Sequence, residues 1–455
     1  MGAVASQVNN IVQAFLGMGA TVMLPIILFI VGICFKMKPG QAFKSGLTVG
    51  IGFVGINAII GILTANVGPA AQAMVKNAGL HLSAADVGWP ALSAITWGLP
   101  IAPFVIPLTI LIDIIMIVTN KTRTVDVDMW NYWHFALAGT LVYYVTDNFW
   151  LGILAAAIIA VIIFKLADWA APMGEKYFGL KGISLPTVSS ATFWPIGLLG
   201  NWILDKIPGV RKINWDPQKI QKRFGVMGEP MMIGLILGII FGLLAKYDFT
   251  KVLTTGVNLA GVMLLLPRMT RVLLEGLMPI SQAVQKFLTK RFPDKKNLFI
   301  GLDIAVAIGN PAVISTGLLL TPIAVVLAFI LPGNNTLPLA DLSNLAVFCS
   351  MIVLACKGNV FRGLIISIPC IIGDLYISSA MAPIITKMAR GVHFAQAQHS
   401  VITAFLDGGN PLRFWIVKIF QLNWFALVLI PIVGLLIWFI YKATKKEVLG
   451  SENDQ

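Results

Sequence analysis

The chain has 455 residues, 57% of them hydrophobic and only 12% charged, with a formal net charge of +13. A soluble domain carries roughly 25% charged residues, so this composition excludes a freely soluble globular protein. The positive balance does not point to nucleic acid, because Lys and Arg gather in short joints between apolar runs, at 36–44, 121–123, 206–223 and 442–446.

The first apolar run, 14–35, is too long for a cleaved signal sequence and lacks a basic leader, so it reads as a retained helix. Later runs at 101–118, 151–166, 312–331 and 424–441 approach the ~20 residues that cross a hydrocarbon core. None alternates as a barrel strand does, and an open sheet cannot bury its edges in lipid, so the spans should be α-helical. Basic joints of this kind stay on the cytoplasmic side. With the first joint and the C-terminus inside, the N-terminus falls outside and the number of full spans is odd. The uncharged loop 332–338 suits the outer face. The basic stretch 268–296 breaks this pattern and reads as an interfacial helix with snorkelling side chains. The four cysteines form no CxxC pair and read as buried free thiols.

Four apolar segments are interrupted by Gly, Pro or polar residues: 86–97 (DVGWPALSAITW), 182–199 (GISLPTVSSATFWPIGLL), 300–313 (IGLDIAVAIGNPAV) and 401–417 (VITAFLDGGNPLRFWIV). Proline removes an N–H and disfavours helix at the preceding residue. Non-helical backbone at membrane depth persists only when packed in protein or lining a wet cavity. Such broken helices and re-entrant hairpins are where membrane carriers hold their cargo.

The chain also repeats itself. Gly32, Lys36, Gly46, Pro69, Gln72, Ala73 and Lys76 recur 210 residues later as Gly242, Lys246, Gly256, Pro279, Gln282, Ala283 and Lys286. Asp86 follows the first Pro-x-x-Gln-Ala and Asp303 the second, and SSATFW at 189–194 shares a Phe-Trp pair with NPLRFW at 410–415. The expected architecture is an all-α polytopic membrane protein of about eleven transmembrane helices, with re-entrant hairpins. Residues 1–225 form one structural repeat and 226–420 an inverted second, while 421–455 supply a final helix and a cytoplasmic tail. Asp86 and Asp303 should then face one another across a hydroxyl-lined site.

An ionisable group in apolar context costs a few kcal/mol, which makes it a functional suspect. Asp86, His134, Glu229, Asp303 and Asp407 qualify, with Trp89, Thr187, Ser189, Ser190, Asn310 and Asn410 as polar or stacking neighbours. Asp147 qualifies as well, but equally suits a wetted turn. Glu229 precedes Pro230 and equally suits a helix start; His134 equally suits the membrane interface. Asp113 and Asp374 lie inside unbroken runs and read as helix-packing residues. Carboxylates, amides and hydroxyls together suit a cargo rich in hydroxyl groups, with aromatic faces stacking on its C–H faces. There is no phosphate-binding loop, no GxSxG, no HExxH and no metal-ligand spacing. No catalytic residue, metal or cofactor is therefore expected, and any energy for transport must come from ions or from a partner.

These residues resemble the galactitol-type membrane subunit (IIC component) of the bacterial sugar phosphotransferase system. The likeness rests on GIGFVGINAIIG at 50–61, GPAAQAM at 68–74, DVGWP at 86–90 and VDVDMWNYWH at 125–134. It continues in KIPGV at 206–210, FGVMGEP at 224–230, IGLDIAVAIG at 300–309 and LPGN at 331–334. It implies import of galactitol or a related polyol or sugar across the bacterial inner membrane, with phosphorylation by a cytoplasmic IIB subunit that is served by IIA. It further implies a homodimer and an elevator-like motion. The chain departs from the pattern at Pro186-Thr187-Val188 and at Asn310, where relatives often carry His, which leaves the cargo open. An ion-coupled secondary transporter would share the repeat, the broken helices and the buried carboxylates.

Overall fold

The computed structural model describes residues 19–78, 83–126, 128, 131–215, 229–291, 298–394, 397–398 and 400–449. Helices dominate, as a backbone in hydrocarbon requires, because each N–H and C=O must be bonded within its own segment. Among the described residues four helices are long and apolar enough to cross a membrane: Pro39–Val67, Phe149–Phe178, Pro311–Ile330 and Val360–Gly391. Gly88–Trp97 and Ala102–Val118, bent by 94° at their junction, together make a fifth. Shorter apolar helices such as Gly234–Leu244 and Leu345–Ala355 do not reach spanning length, so length alone gives fewer spans than the eleven expected. The chain is a multi-pass, all-α membrane protein.

The order of elements in the first half recurs in the second. The first half runs α1 (Gly19–Cys34), α2 (Pro39–Ala78), β1 (Ala84–Asp86), α3 (Gly88–Trp97), α4 (Ala102–Val118), β2 (Thr124–Asp126), α5 (Tyr132–Thr146), α6 (Phe149–Met173), β3 (Ile183–Ser184), α7 (Val188–Ala191) and α8 (Trp194–Lys206). The second runs α9 (Pro230–Leu244), α10 (Phe249–Arg291), β4 (Phe299–Gly301), α11 (Ala305–Ile308), α12 (Pro311–Ile330), β5 (Thr336–Leu337), α13 (Leu345–Ala355), α14 (Val360–Gly391), β6 (Val401–Thr403), α15 (Phe405–Gly408) and α16 (Pro411–Phe420). Helix α17 (Trp424–Leu449) follows.

The recurring residues have matching physical reasons in the two halves. A Cβ on Gly32 would sit 2.9 Å from Ala42 Cβ, and one on Gly242 2.9 Å from Val252 Cα. A Cβ on Gly46 would meet Pro25 O at 2.6 Å, and one on Gly256 would meet Leu235 O at 3.2 Å. Each glycine thus lets the two helices of a hairpin cross closely, at places 210 residues apart. Lys36 and Lys246 both take left-handed backbone, with φ of 63° and 56°. In each case the next N–H closes the helix end, Met37 onto Gly32 O at 2.9 Å and Tyr247 onto Gly242 O at 3.0 Å. That is the usual way a helix satisfies its last carbonyls before reversing. Helices α1, α2, α9 and α10 pack together as one bundle, and the remaining helices surround the broken segments. Cys349 and Cys356 are buried, as expected, but Cys370 is only half-buried and Cys34 is exposed. It lies two residues beyond Gly32, about 200° around the helix from the face that packs on α2.

Each broken segment begins with a short strand, which the residue pattern does not foretell. The strands form two three-stranded parallel sheets, ordered β5-β1-β6 and β2-β4-β3. The central strand of each comes from one half and both flanking strands from the other, with Ala84 opposite Thr336 and Val401, and Ile300 opposite Val125 and Ile183. The halves therefore exchange their first strands. Matching side chains fasten each sheet. Asp168 on α6 accepts from Thr122 Oγ1, Thr124 Oγ1 and Arg123 N at 2.9, 2.8 and 3.0 Å. At the corresponding turn of α14, Ser379 Oγ accepts from Asn335 N at 3.0 Å and lies 3.1 Å from Thr336 Oγ1.

Candidate functional site

Strand β3 leads through Leu185-Pro186-Thr187 into α7, then turns at Thr192-Phe193 into α8. Strand β6 leads into α15 and turns at Gly409-Asn410 into α16. These two helical hairpins meet tip to tip. Ser189 Oγ donates to Asp407 Oδ1 at 2.5 Å, and Asn410 Nδ2 donates to Val188 O at 3.4 Å. The Phe-Trp pairs that suggested the match are not equivalent: Phe193-Trp194 opens α8, whereas Phe414-Trp415 lies one turn inside α16.

Asn410 precedes a proline at the first helical position of α16, and its Oδ1 caps the helix by accepting from Arg413 N at 3.2 Å. Both residue types are preferred there. The cap turns the Arg413 side chain back over the hairpin tip. Its Nη1 donates to Asp407 Oδ1 at 2.8 Å and Asp407 O at 3.0 Å, and its Nη2 to His134 Nδ1 at 2.7 Å. Arg413 is only 1% exposed and Asp407 only 2%. A buried ion pair holds only when further hydrogen bonds satisfy both charges, and Ser189 and His134 supply them. His134 comes from the first turn of α5, and its ring lies 4.1 Å from that of Trp133. Trp133 in turn is 6.5 Å from Trp89, so an aromatic floor adjoins the polar cluster.

A second layer supports the first hairpin. Thr187 Oγ1 accepts from Ile304 N at 2.9 Å and lies 2.8 Å from Asn131 Oδ1 and 3.3 Å from Asp303 Oδ2. Asp303 Oδ1 accepts from Ala305 N at 2.9 Å, and its own N–H goes to Asp128 Oδ2 at 3.0 Å. Ser190 donates to Thr187 O, a bond local to the hairpin. Asp86 is spent on backbone: Oδ1 accepts from Gly88 and Phe405 N–H at 3.1 and 3.0 Å, and Oδ2 from Ala340 and Asp341 N–H at 2.9 and 3.0 Å. Asp341 completes that knot by accepting from Trp89 N and Leu406 N, each at 3.1 Å.

Of the residues expected from sequence, the fold draws His134, Ser189, Asp407 and Asn410 into one cluster. Thr187 and Asp303 stand directly behind it, and Trp89 and Ser190 flank it. Asp86 ends β1 and Asp303 lies two residues past β4, each two residues before the next helix, but among the described residues they share no hydrogen-bond partner. Asn310 caps α12 through Ala312 N. Glu229 sits at the start of α9 without capping it, and among the described residues nothing joins it to the cluster. Parts of two quoted stretches, 127, 129–130 and 224–228, lie outside the described residues. Sequence reading missed Arg413, Asn131, Asp128 and Asp341. The rule that singled out carboxylates in apolar context applies equally to Arg413, three residues after an Asn-Pro cap. Among the described residues no group of His, Cys, Asp or Glu could hold a metal ion. The cluster offers N–H donors, carboxylate acceptors and hydroxyls beside an aromatic floor, a set suited to hydroxyl groups.

Residues 14–398 match the EIIC-GAT family model, described as the sugar-specific permease component of the PTS system. The galactitol-specific EIIC component of Escherichia coli strain K12 is 38% identical over 413 residues, covering 91% of this chain and 91% of that protein. A putative permease IIC component of the same strain is 38% identical over 433 residues, covering 95% of this chain and 99% of the relative.

Proposed function

The chain belongs to the EIIC-GAT family of sugar-specific permease components, and on that premise we propose that it imports galactitol, or a closely related polyol, for phosphorylation on the cytoplasmic side. The observation that carries this reading is the meeting of both hairpin tips on Ser189, Asp407, Arg413 and His134. A polyol hydroxyl can accept from the N–H groups there and donate to the carboxylates of Asp407 or Asp303. A site built to bond hydroxyls discriminates strongly against cargo without them, since its buried polar groups would be left unpaired.

The chain acts as two inverted repeats, 1–225 and 226–420, with 421–455 as final helix and tail. The exchange of first strands supports this division, because it ties both hairpins and both sheets into one body. That body slides against the bundle of α1, α2, α9 and α10. The seam, between Leu63 and Val67 on α2 and Ile314, Leu318 and Ala346 on the other side, is apolar, so sliding there breaks few polar bonds. Transport thus follows an elevator-type course within a homodimer in the bacterial inner membrane, with the N-terminus outside and the C-terminus in the cytoplasm. A cysteine-phosphorylated IIB subunit, recharged by IIA, docks on the basic loop 206–223. The described part of that loop is fastened to α14 by Arg362, whose guanidinium reaches Asp205 Oδ1 at 2.7 Å and Arg211 O at 3.0 Å.

The test is uptake of labelled galactitol by cells with and without the matching IIB, with assay for the phosphorylated product. Phosphorylated galactitol formed only with IIB is the expected result. Unmodified galactitol accumulating without IIB and collapsing with an uncoupler would replace this reading by ion-coupled transport.

A further inference from the structure

The polar cluster contains one arrangement that assigns a role beyond cargo contact. Arg413 Nη2 lies 2.7 Å from His134 Nδ1. A guanidinium has only donors to offer, so Nδ1 must present its lone pair and the ring proton must sit on Nε2. The neighbours agree. Ser189 Oγ is 3.2 Å from Nδ1 but has an acceptor at 2.5 Å in Asp407 Oδ1. Asp407 Oδ1 is itself 3.3 Å from Nδ1, two acceptors with the arginine fork bonded to both. Nδ1–H would instead set a proton against the guanidinium.

The cluster also holds N–H groups with nothing to donate to. Arg413 Nε and Trp133 Nε1 are buried without a hydrogen-bond partner, in side chains each only 1% exposed. The hydrogen bonds His134 makes with Ser189 and Arg413 both fall on Nδ1, which leaves the Nε2 side of the ring for a ligand. Trp133 lies against His134 and beneath the guanidinium, 6.0 Å from Arg413 Cζ to the ring. Buried donors left unpaired are costly, and where they gather they call for an acceptor. The Asp407 and Arg413 charges cancel, and Asp303 stands behind.

We propose that Arg413 is a positioning and specificity-determining residue. By donating to Nδ1 it locks His134 as the Nε2–H tautomer, so that the site offers N–H donors to an uncharged polyhydroxyl cargo and disfavours the corresponding sugar acid. The proposal deepens the transport reading above and rests on it for the identity of the cargo.

The experiment has two arms. In the first, the full chain labelled with ¹⁵N-histidine is reconstituted in liposomes and the ring nitrogens are read by solid-state NMR. The chain has four histidines, and the signal lost in His134→Gln identifies the one in question. Nδ1 unprotonated and Nε2 protonated in the unsubstituted chain is the expected result; Nδ1 protonated overturns the proposal. In Arg413→Lys, which keeps the charge but lacks the rigid two-nitrogen fork that spans Asp407 and His134, a mixture of tautomers is expected. In the second arm, binding of labelled galactitol to the purified chain is measured without IIB. His134→Gln keeps an amide near the place of Nε2, whereas His134→Asn keeps only an acceptor for Arg413. The Asn variant is expected to bind at least about tenfold more weakly than the Gln variant, and galactonate to compete poorly in the unsubstituted chain. Equal affinities of the two variants would show that His134 only supports Arg413. An unsubstituted chain that binds no galactitol would sink the cargo assignment, while the first arm still decides the role of Arg413.

Discussion

Asp86 and Asp303 stand at matching places in the two halves and have come to different ends. Each stands two residues before the helix that follows its central strand and accepts from the amide at that helix's start, at 3.1 and 2.9 Å. There the likeness stops. Asp86 accepts three further backbone N–H groups, from Phe405, Ala340 and Asp341, and so ties the base of the second hairpin to the far loop. Among the described residues Asp303 is met besides by the Thr187 hydroxyl at 3.3 Å and the Ile304 amide, fewer partners than Asp86 has, and it stands beside the hairpin tips. A repeat fixes where a carboxylate stands, while the trans-half contacts decide whether it braces the fold or remains available to a ligand.

The sharpest way to break this comparison is to neutralise each in turn. In Asp86→Asn one oxygen becomes an NH₂ facing two backbone N–H groups. That should cost on the order of 3 kcal/mol or more and show as a large fall in thermal stability of the purified chain. Asp303→Asn should fold normally and raise the apparent KM for galactitol uptake by about 10- to 100-fold, the loss of one hydrogen bond to a charged group. If Asp86→Asn melts like the unsubstituted chain and only its KM rises, both carboxylates belong to the cargo site and the distinction drawn here is wrong.

A smaller contrast lies in the two sheet fasteners. Asp168 and Ser379 occupy corresponding turns of α6 and α14, but a carboxylate gathers three donors where a hydroxyl gathers fewer. Ser379→Ala should cost about 1–2 kcal/mol and Asp168→Ala more, since charged hydrogen bonds are worth roughly twice neutral ones. Equal losses in chemical denaturation would mean that packing, not the hydrogen bonds, secures the strands. The helix crossings give a further step down. Gly46→Ala drives a methyl to 2.6 Å from a carbonyl oxygen, against 3.0 Å or more from any neighbour at Gly256. Overpacking typically costs about 1–3 kcal/mol, so Gly46→Ala should be the worse of the pair.

Much of this was readable from residues alone, for local reasons. Paired glycines at a fixed offset recur because the same two helices cross at them, and the four interrupted segments contain the chain breaks where strand, turn and helix meet. The strands themselves were invisible. Two or three residues carry no alternation, and partners such as Ala84 and Thr336 are separated by most of the chain. The exchange of strands between halves leaves no local mark for the same reason. Arg413 meets the same criterion as the acids and His134, an ionisable group in apolar sequence. Its cap, Asn410-Pro411, places the residue at the third helical position. Asp86 is a carboxylate in a broken apolar segment, and residues alone do not distinguish satisfaction by four backbone amides from satisfaction by a ligand.

The mildest expected effect concerns Lys36 and Lys246, both held at positive φ. Left-handed backbone costs a non-glycine residue about 1 kcal/mol, so Lys→Gly at either place should stabilise the chain by up to that amount, less the entropy glycine adds to the unfolded state. If the two halves are inverted, the two lysines sit at opposite membrane faces, and only one can serve to retain a loop in the cytoplasm. Equal gains in melting temperature are therefore expected from Lys36→Gly and Lys246→Gly, since the helix cap is the same in both. Their effects on topology should differ. With the N-terminus outside, Lys36→Gly should increase the fraction of chains whose N-terminal tag is shielded from external labelling, and Lys246→Gly should leave it unchanged. A shift from Lys246→Gly as large as that from Lys36→Gly would put both lysines on one face, and the halves could not then be inverted copies.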